Sequence, residues 1–120
     1  MKTYFTDDEL RCKCCGAIAI DKEFLARLNH AREMAMVPFF ILSGYRCEKH
    51  NAEVGSKSTN HTSGKAVDIS CRTVGRRYMM VKELINAGMK GIGINETFIH
   101  VDTNREFEII WLYEPEKGGT

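Results

Sequence analysis

Two short runs, AVDIS (Ala66–Ser70) and FIHVD (Phe98–Asp102), constrain this chain more than anything else in it. Each alternates with the period of two that sends successive side chains to opposite faces of a strand. Val67 and Ile69 share one face of the first run, with Ala66, Asp68 and Ser70 on the other. In the second, Ile99 and Val101 share a face, with Phe98, His100 and Asp102 opposite. An aspartate and a histidine on half-buried strands cost free energy unless each is paired. If the strands lie side by side with their apolar faces inward, Asp68 and His100 project from one surface. The polar loop before them, hinged at Gly64, can then fold His61 over both.

The rest of the chain supplies a scaffold for such a sheet. Thr6 precedes a run of acids and reads as the cap of a short helical turn. From Asp21, an N-cap by residue type, to about Met36, the residues Phe24, Leu25, Leu28, Ala31 and Met34 recur at helical spacing. Pro38 ends that helix, FFILS (Phe39–Ser43) reads as a short buried strand, and Glu48 to Val54 as a helical turn. Val74 to Ala87 is helical through Met79, Val81, Leu84 and Ile85, and Gly88 ends it. GIGI, TFIHVD and EIIWLY are three strand-like runs separated by turn signals. The pattern predicts an α+β fold, a small and mainly antiparallel sheet with helices packed to one side.

At 120 residues this is a single domain, 1–120. Lys and Arg number 17 against 16 Asp and Glu, so no net field favours nucleic acid or an anionic membrane. The first residues, MKTYFTDDELRC, lack the apolar run of a signal peptide, and no later segment is apolar enough to span a bilayer. Synthesis in the cytoplasm is therefore the expectation, as a monomer whose partner is chosen by a local site.

Taken singly, His61 is an ordinary loop residue, Asp68 a hydrogen-bonded strand carboxylate and His100 a satisfied core histidine. Together they form a chemically coherent set. Two imidazoles and one carboxylate leave one position of a tetrahedral zinc ion for water, as a catalytic rather than a structural site requires. Such a water is acidic enough to act as a nucleophile near neutral pH.

The elements SGYRCEKHN (Ser43–Asn51), NHTSGKAVDI (Asn60–Ile69), GIGI (Gly91–Ile94) and FIHVD resemble the D-Ala-D-Ala carboxypeptidase and L,D-endopeptidase family of zinc peptidases. That family shares its zinc-site architecture with hedgehog signalling domains and cuts peptidoglycan stem peptides or cross-bridges. The resemblance runs from FTDDELRCKCCG to the final strand in order. It implies one catalytic Zn2+ held by His61, Asp68 and His100, and an active-site role for Arg46 in binding or polarising substrate, where a guanidinium fork suits a carboxylate or carbonyl. It implies a peptidoglycan peptide as substrate and action at the bacterial cell wall; the small size and the lack of a signal peptide and of a separate wall-binding domain suit an endolysin released through a holin, or a module of a phage particle. A second reading is a non-catalytic zinc-containing module of the same fold that binds wall or protein.

The proton-transfer group departs from the family pattern. In several relatives a glutamate or histidine lies shortly before the last zinc histidine; here Thr97 and Phe98 stand there. Glu96, four residues before His100, is one candidate base; Asp102, two residues after it on the same strand face, could be a base but reads better as a group orienting an imidazole. Ser58, Thr59 and Ser63 offer hydroxyls for substrate amides. His30 and His50 read as surface residues, although His50 could also line the cleft. Among five cysteines, Cys12 and Cys15 form a CxxC pair that could seed a second, structural metal site with Cys47 and Cys71. Lacking a second CxxC, the sequence favours buried free thiols instead.

Overall fold

The computed structural model describes residues 3–56 and 59–114. In chain order the elements are α1 (Asp7–Leu10), α2 (Lys22–Ala35), β1 (Ile41–Ser43), α3 (Glu48–Glu53), β2 (Ala66–Ser70), α4 (Val74–Asn86), β3 (Gly91–Ile94), β4 (Phe98–Asp102) and β5 (Ile109–Leu112). The strands form one sheet in the order β1-β2-β4-β3-β5. All neighbours are antiparallel except β3 and β5, so the α+β expectation holds.

The two alternating runs are adjacent central strands. Val67 pairs with Val101, Asp68 with His100 and Ile69 with Ile99. Val67, Ile69, Ile99 and Val101 are wholly buried and join Ile92 in a core capped by Phe24, Leu28, Ala31 and Ala35 of α2 and by Met80 and Leu84 of α4. Burying one such side chain is worth roughly 1.5–3 kcal/mol. A one-residue slip of β2 against β4 would turn the whole apolar set toward the polar face. The register that places Asp68 opposite His100 is thus fixed from the far side of the sheet.

Local chemistry sets the helix ends. Thr6 and Glu9 form a reciprocal capping box on α1. The Asp21 carboxylate accepts from the Phe24 amide at 2.9 Å, and α2 closes at Met36 in a left-handed conformation ahead of Pro38. Near the amino end, the Tyr4 amide donates to the buried Asn29 side chain at 2.9 Å, tying the first residues to α2.

Three details differ from the sequence reading. FFILS is an edge strand with one partner; it bulges between Ile41 and Ser43, and leaves Phe40 and Leu42 exposed. On α2 the buried stripe is Phe24, Leu28, Ala31 and Ala35, while Met34 faces solvent. On α4 it is Met80 and Leu84, with Ile85 exposed. The run YMMVKELI is apolar on too many sides for periodicity to choose a face. Packing against α2 makes that choice.

Candidate metal centre

The polar face of β2 and β4 carries the cluster that the alternation implied. Asp68 and His100 lie directly opposite one another. The loop from Thr59 turns at Gly64, whose φ of +74° and contact with the Ala19 carbonyl exclude a side chain. That turn brings in His61, and the Arg46 amide bonds its carbonyl at 3.4 Å. His61 Nε2 lies 3.4 Å, and His100 Nδ1 3.0 Å, from the same oxygen of Asp68, Oδ1. Both histidines are buried.

The outer nitrogen of each imidazole is already engaged. His61 Nδ1 donates to the Gly44 carbonyl at 2.9 Å, and His100 Nε2 donates to Asp102 Oδ2 at 2.7 Å. With those protons placed outward, a neutral ring on each side aims a lone pair at a carboxylate oxygen. Three electron-rich atoms facing one point repel unless a cation stands among them. Zinc bonds to nitrogen and oxygen run about 2.0–2.2 Å, which places tetrahedral ligands about 3.3–3.6 Å apart. The donor set fits zinc, with the His61 contact of 3.4 Å inside that span and the His100 contact of 3.0 Å just short of it, and the outer hydrogen bonds are those that orient a metal-binding imidazole.

Electrostatics agree with the geometry. Burial alone would push the Asp68 carboxyl up, but the His100 and His61 rings beside it outweigh burial and hold the group well below the usual carboxylate range. Burial would lower the His100 imidazole, yet Asp102 and Asp68 raise it instead. Both shifts report a site that favours positive charge between the rings.

Arg46 reaches the cluster, where Nη2 lies 3.3 Å from Asp68 Oδ2. Its Nε donates to Ser43 Oγ at 3.0 Å and its Nη1 to Asn51 Oδ1 at 3.3 Å. The carboxylate is thus divided, with Oδ1 toward the imidazoles and Oδ2 toward the guanidinium. The cleft of about 200 Å³ over these groups is also lined by Asn60, Phe98, Arg105, Trp111 and Tyr113.

Two candidate bases require correction. Glu96 is exposed in the turn between β3 and β4, where its carbonyl accepts from Arg77 at 3.0 Å, and it lines a separate surface pocket with Arg77 and Leu112. A strand advances about 3.3 Å per residue, so four residues carry it far along β4 from His100. Asp102 is wholly buried, with Oδ2 on His100 and both oxygens 3.0 Å from Arg105 Nε. It orients the ring and has no free face for substrate. Ser63 is exposed and bonds back to the Asn60 carbonyl at 2.7 Å, away from the cleft lining. Ser58 lies outside the described residues. His30 is exposed on α2, and His50 sits beside Cys14 and Glu53 rather than in the cleft.

Trp111, Tyr113 and Arg105 escaped the sequence reading. Gly93 pairs with His100 on one side and Trp111 on the other. A Cβ there would come within 2.6 Å of the indole, so the absent side chain lets Trp111 approach His100 with ring centroids 5.5 Å apart. The alternate glycines of GIGI were the available signal. Arg105 stacks 4.6 Å over the same indole while bonding Asp102.

A sheet face presenting two oriented imidazoles and a carboxylate beneath an open cleft has the donor set of a catalytic metal centre. The comparison with protein families is specific: the Peptidase M15 family matches residues 3–102. The chain belongs to that family, whose peptidases are zinc-dependent, as the resemblance implied. A search of curated proteins finds no significant match.

Proposed function

We propose that the protein is a zinc peptidase in which His61, Asp68 and His100 hold the ion and the substrate is a stem peptide or cross-bridge of bacterial peptidoglycan. The observation that carries this reading is the pair of imidazoles whose outer nitrogens are bonded away and whose inner nitrogens meet Asp68 Oδ1 at 3.4 and 3.0 Å. Bound there, zinc would acidify a water and polarise a scissile carbonyl. Gly44 and Asp102 fix the two rings, and Arg46 holds the other oxygen of Asp68.

Tyr113 faces the same cleft, and burial, with the charge of Asp68, pushes its phenol up. It remains protonated near neutrality and can donate a hydrogen bond to a developing oxyanion. Arg105 uses Nε on Asp102, and its forked end can meet a carboxylate of an acidic stem peptide. The resemblance of the motifs supports a wall substrate; an endolysin or phage-particle setting and a monomeric state are part of the same proposal.

One observation favours a second reading as a wall-binding module. Among the described residues lining the cleft, Asp68 is the sole carboxylate, so none stands ready as a general base. Incubation with purified peptidoglycan separates the two. New amino termini, located by mass analysis of the released muropeptides and abolished by EDTA, establish the peptidase and name the bond. Binding to the wall with no cleavage establishes the module.

A further inference from the structure

A second group of ligand atoms lies outside this cleft. The Sγ atoms of Cys12, Cys15 and Cys47 fall within 4.8 Å of one another. They come from two separate parts of the chain, the CKCCG turn and the start of α3. The expectation of buried thiols holds for Cys12 and Cys71, but Cys14 and Cys15 are exposed. We propose that Cys12, Cys15 and Cys47 form a structural site for a thiophilic divalent cation, zinc in the first instance.

The backbone around these sulfurs is arranged to receive negative charge. The Cys47 amide donates to Cys12 Sγ at 3.4 Å, and the His50 amide to Cys47 Sγ at 3.4 Å. Gly16 closes the CxxC turn by donating to the Cys12 carbonyl at 2.8 Å. Zinc–sulfur bonds of about 2.3 Å place tetrahedral ligands about 3.8 Å apart, within the span these sulfurs already occupy. A disulfide would use two of the three converging sulfurs and leave the third unexplained; one metal uses all of them.

The site has a structural consequence for the cleft. Tyr45 donates its amide to the Leu10 carbonyl at 3.0 Å, and Cys47 donates to Cys12, so Arg46 lies between two anchors on the amino-terminal segment. A metal at the cysteines would lock that segment to the loop that braces Asp68.

The test uses the full chain, reduced, stripped with a chelator and titrated with Co2+. Sulfur-to-cobalt charge-transfer absorption is expected, persisting in a His61→Ala/His100→Ala variant and lost in a Cys12→Ser/Cys47→Ser variant. Zinc content should fall from about two equivalents to one in either variant. Should the cysteine variant fail to fold, alkylation of the natural sequence decides: added Zn2+ should slow labelling of Cys15 several-fold. Absence of the charge-transfer band, its survival in the cysteine variant, unchanged labelling of Cys15, or a disulfide joining Cys12 or Cys47 in freshly purified protein would each overturn the proposal.

Discussion

The histidine–aspartate cluster and the cysteine cluster place similar numbers of ligand atoms at similar spacing, yet they are built in different ways. The first stands on paired strands: Asp68 and His100 are neighbours because the apolar face beneath them admits one register. Each imidazole is also oriented by a buried partner. The second stands on turns, with Cys14 and Cys15 exposed and Cys47 delivered by a loop. A site on strands is assembled by the core before any ion arrives. A site on turns gains order from the ion itself, because its backbone has fewer buried contacts to hold it.

That contrast can be broken or sharpened by substitution. The largest effect is expected from His100→Ala, which removes a ligand atom and its link to Asp102; zinc at the sheet should be lost and peptide hydrolysis with it. Elemental analysis together with a muropeptide assay checks this, and retention of full zinc and activity would remove His100 from the site. Next is Asp102→Asn, which keeps the shape of a wholly buried side chain while weakening its hold on the His100 ring. Zinc affinity should fall roughly 10–100-fold, as competition with a chromophoric chelator would measure. Thiol-dependent cobalt absorption should be unaltered, and a parallel loss there would show that the two clusters are not independent.

Gly93→Ala brings a methyl against Trp111 and should cost about 1–3 kcal/mol, seen as a lower melting temperature and shifted tryptophan emission. An unchanged emission spectrum would mean that the indole does not rest on the strand. The smallest effect belongs to Glu96→Gln. An exposed turn residue away from the cluster should alter stability by less than about 0.5 kcal/mol and leave hydrolysis intact. Collapse of activity in that variant would bring Glu96 back to the cleft as the base.

What the sequence made legible follows the same division. Period-two alternation with apolar faces inward is enough to put Asp68 and His100 on one surface of the sheet, and Gly64 is enough to suggest how His61 returns. The helix caps at Thr6 and Asp21 were equally local. Illegible features depended on contacts between distant segments. For Asp102 the sequence favours orienting an imidazole without excluding a base, because Arg105, which closes its remaining face, comes from a loop with no periodic signal. Glu96 is a candidate by nearness in sequence, since spacing does not show that its turn lies against Arg77 and away from the cleft. Cys47 stands 32 residues from Cys15, and no alternation or motif announces that the loop before α3 folds onto the CxxC turn.

The most direct measurement of the central assignment is an anomalous difference map from zinc-loaded crystals, recorded on both sides of the zinc edge. The account predicts a peak within bonding distance of His61 Nε2, His100 Nδ1 and Asp68 Oδ1. A map with zinc elsewhere on the molecule and none among these three atoms would contradict it.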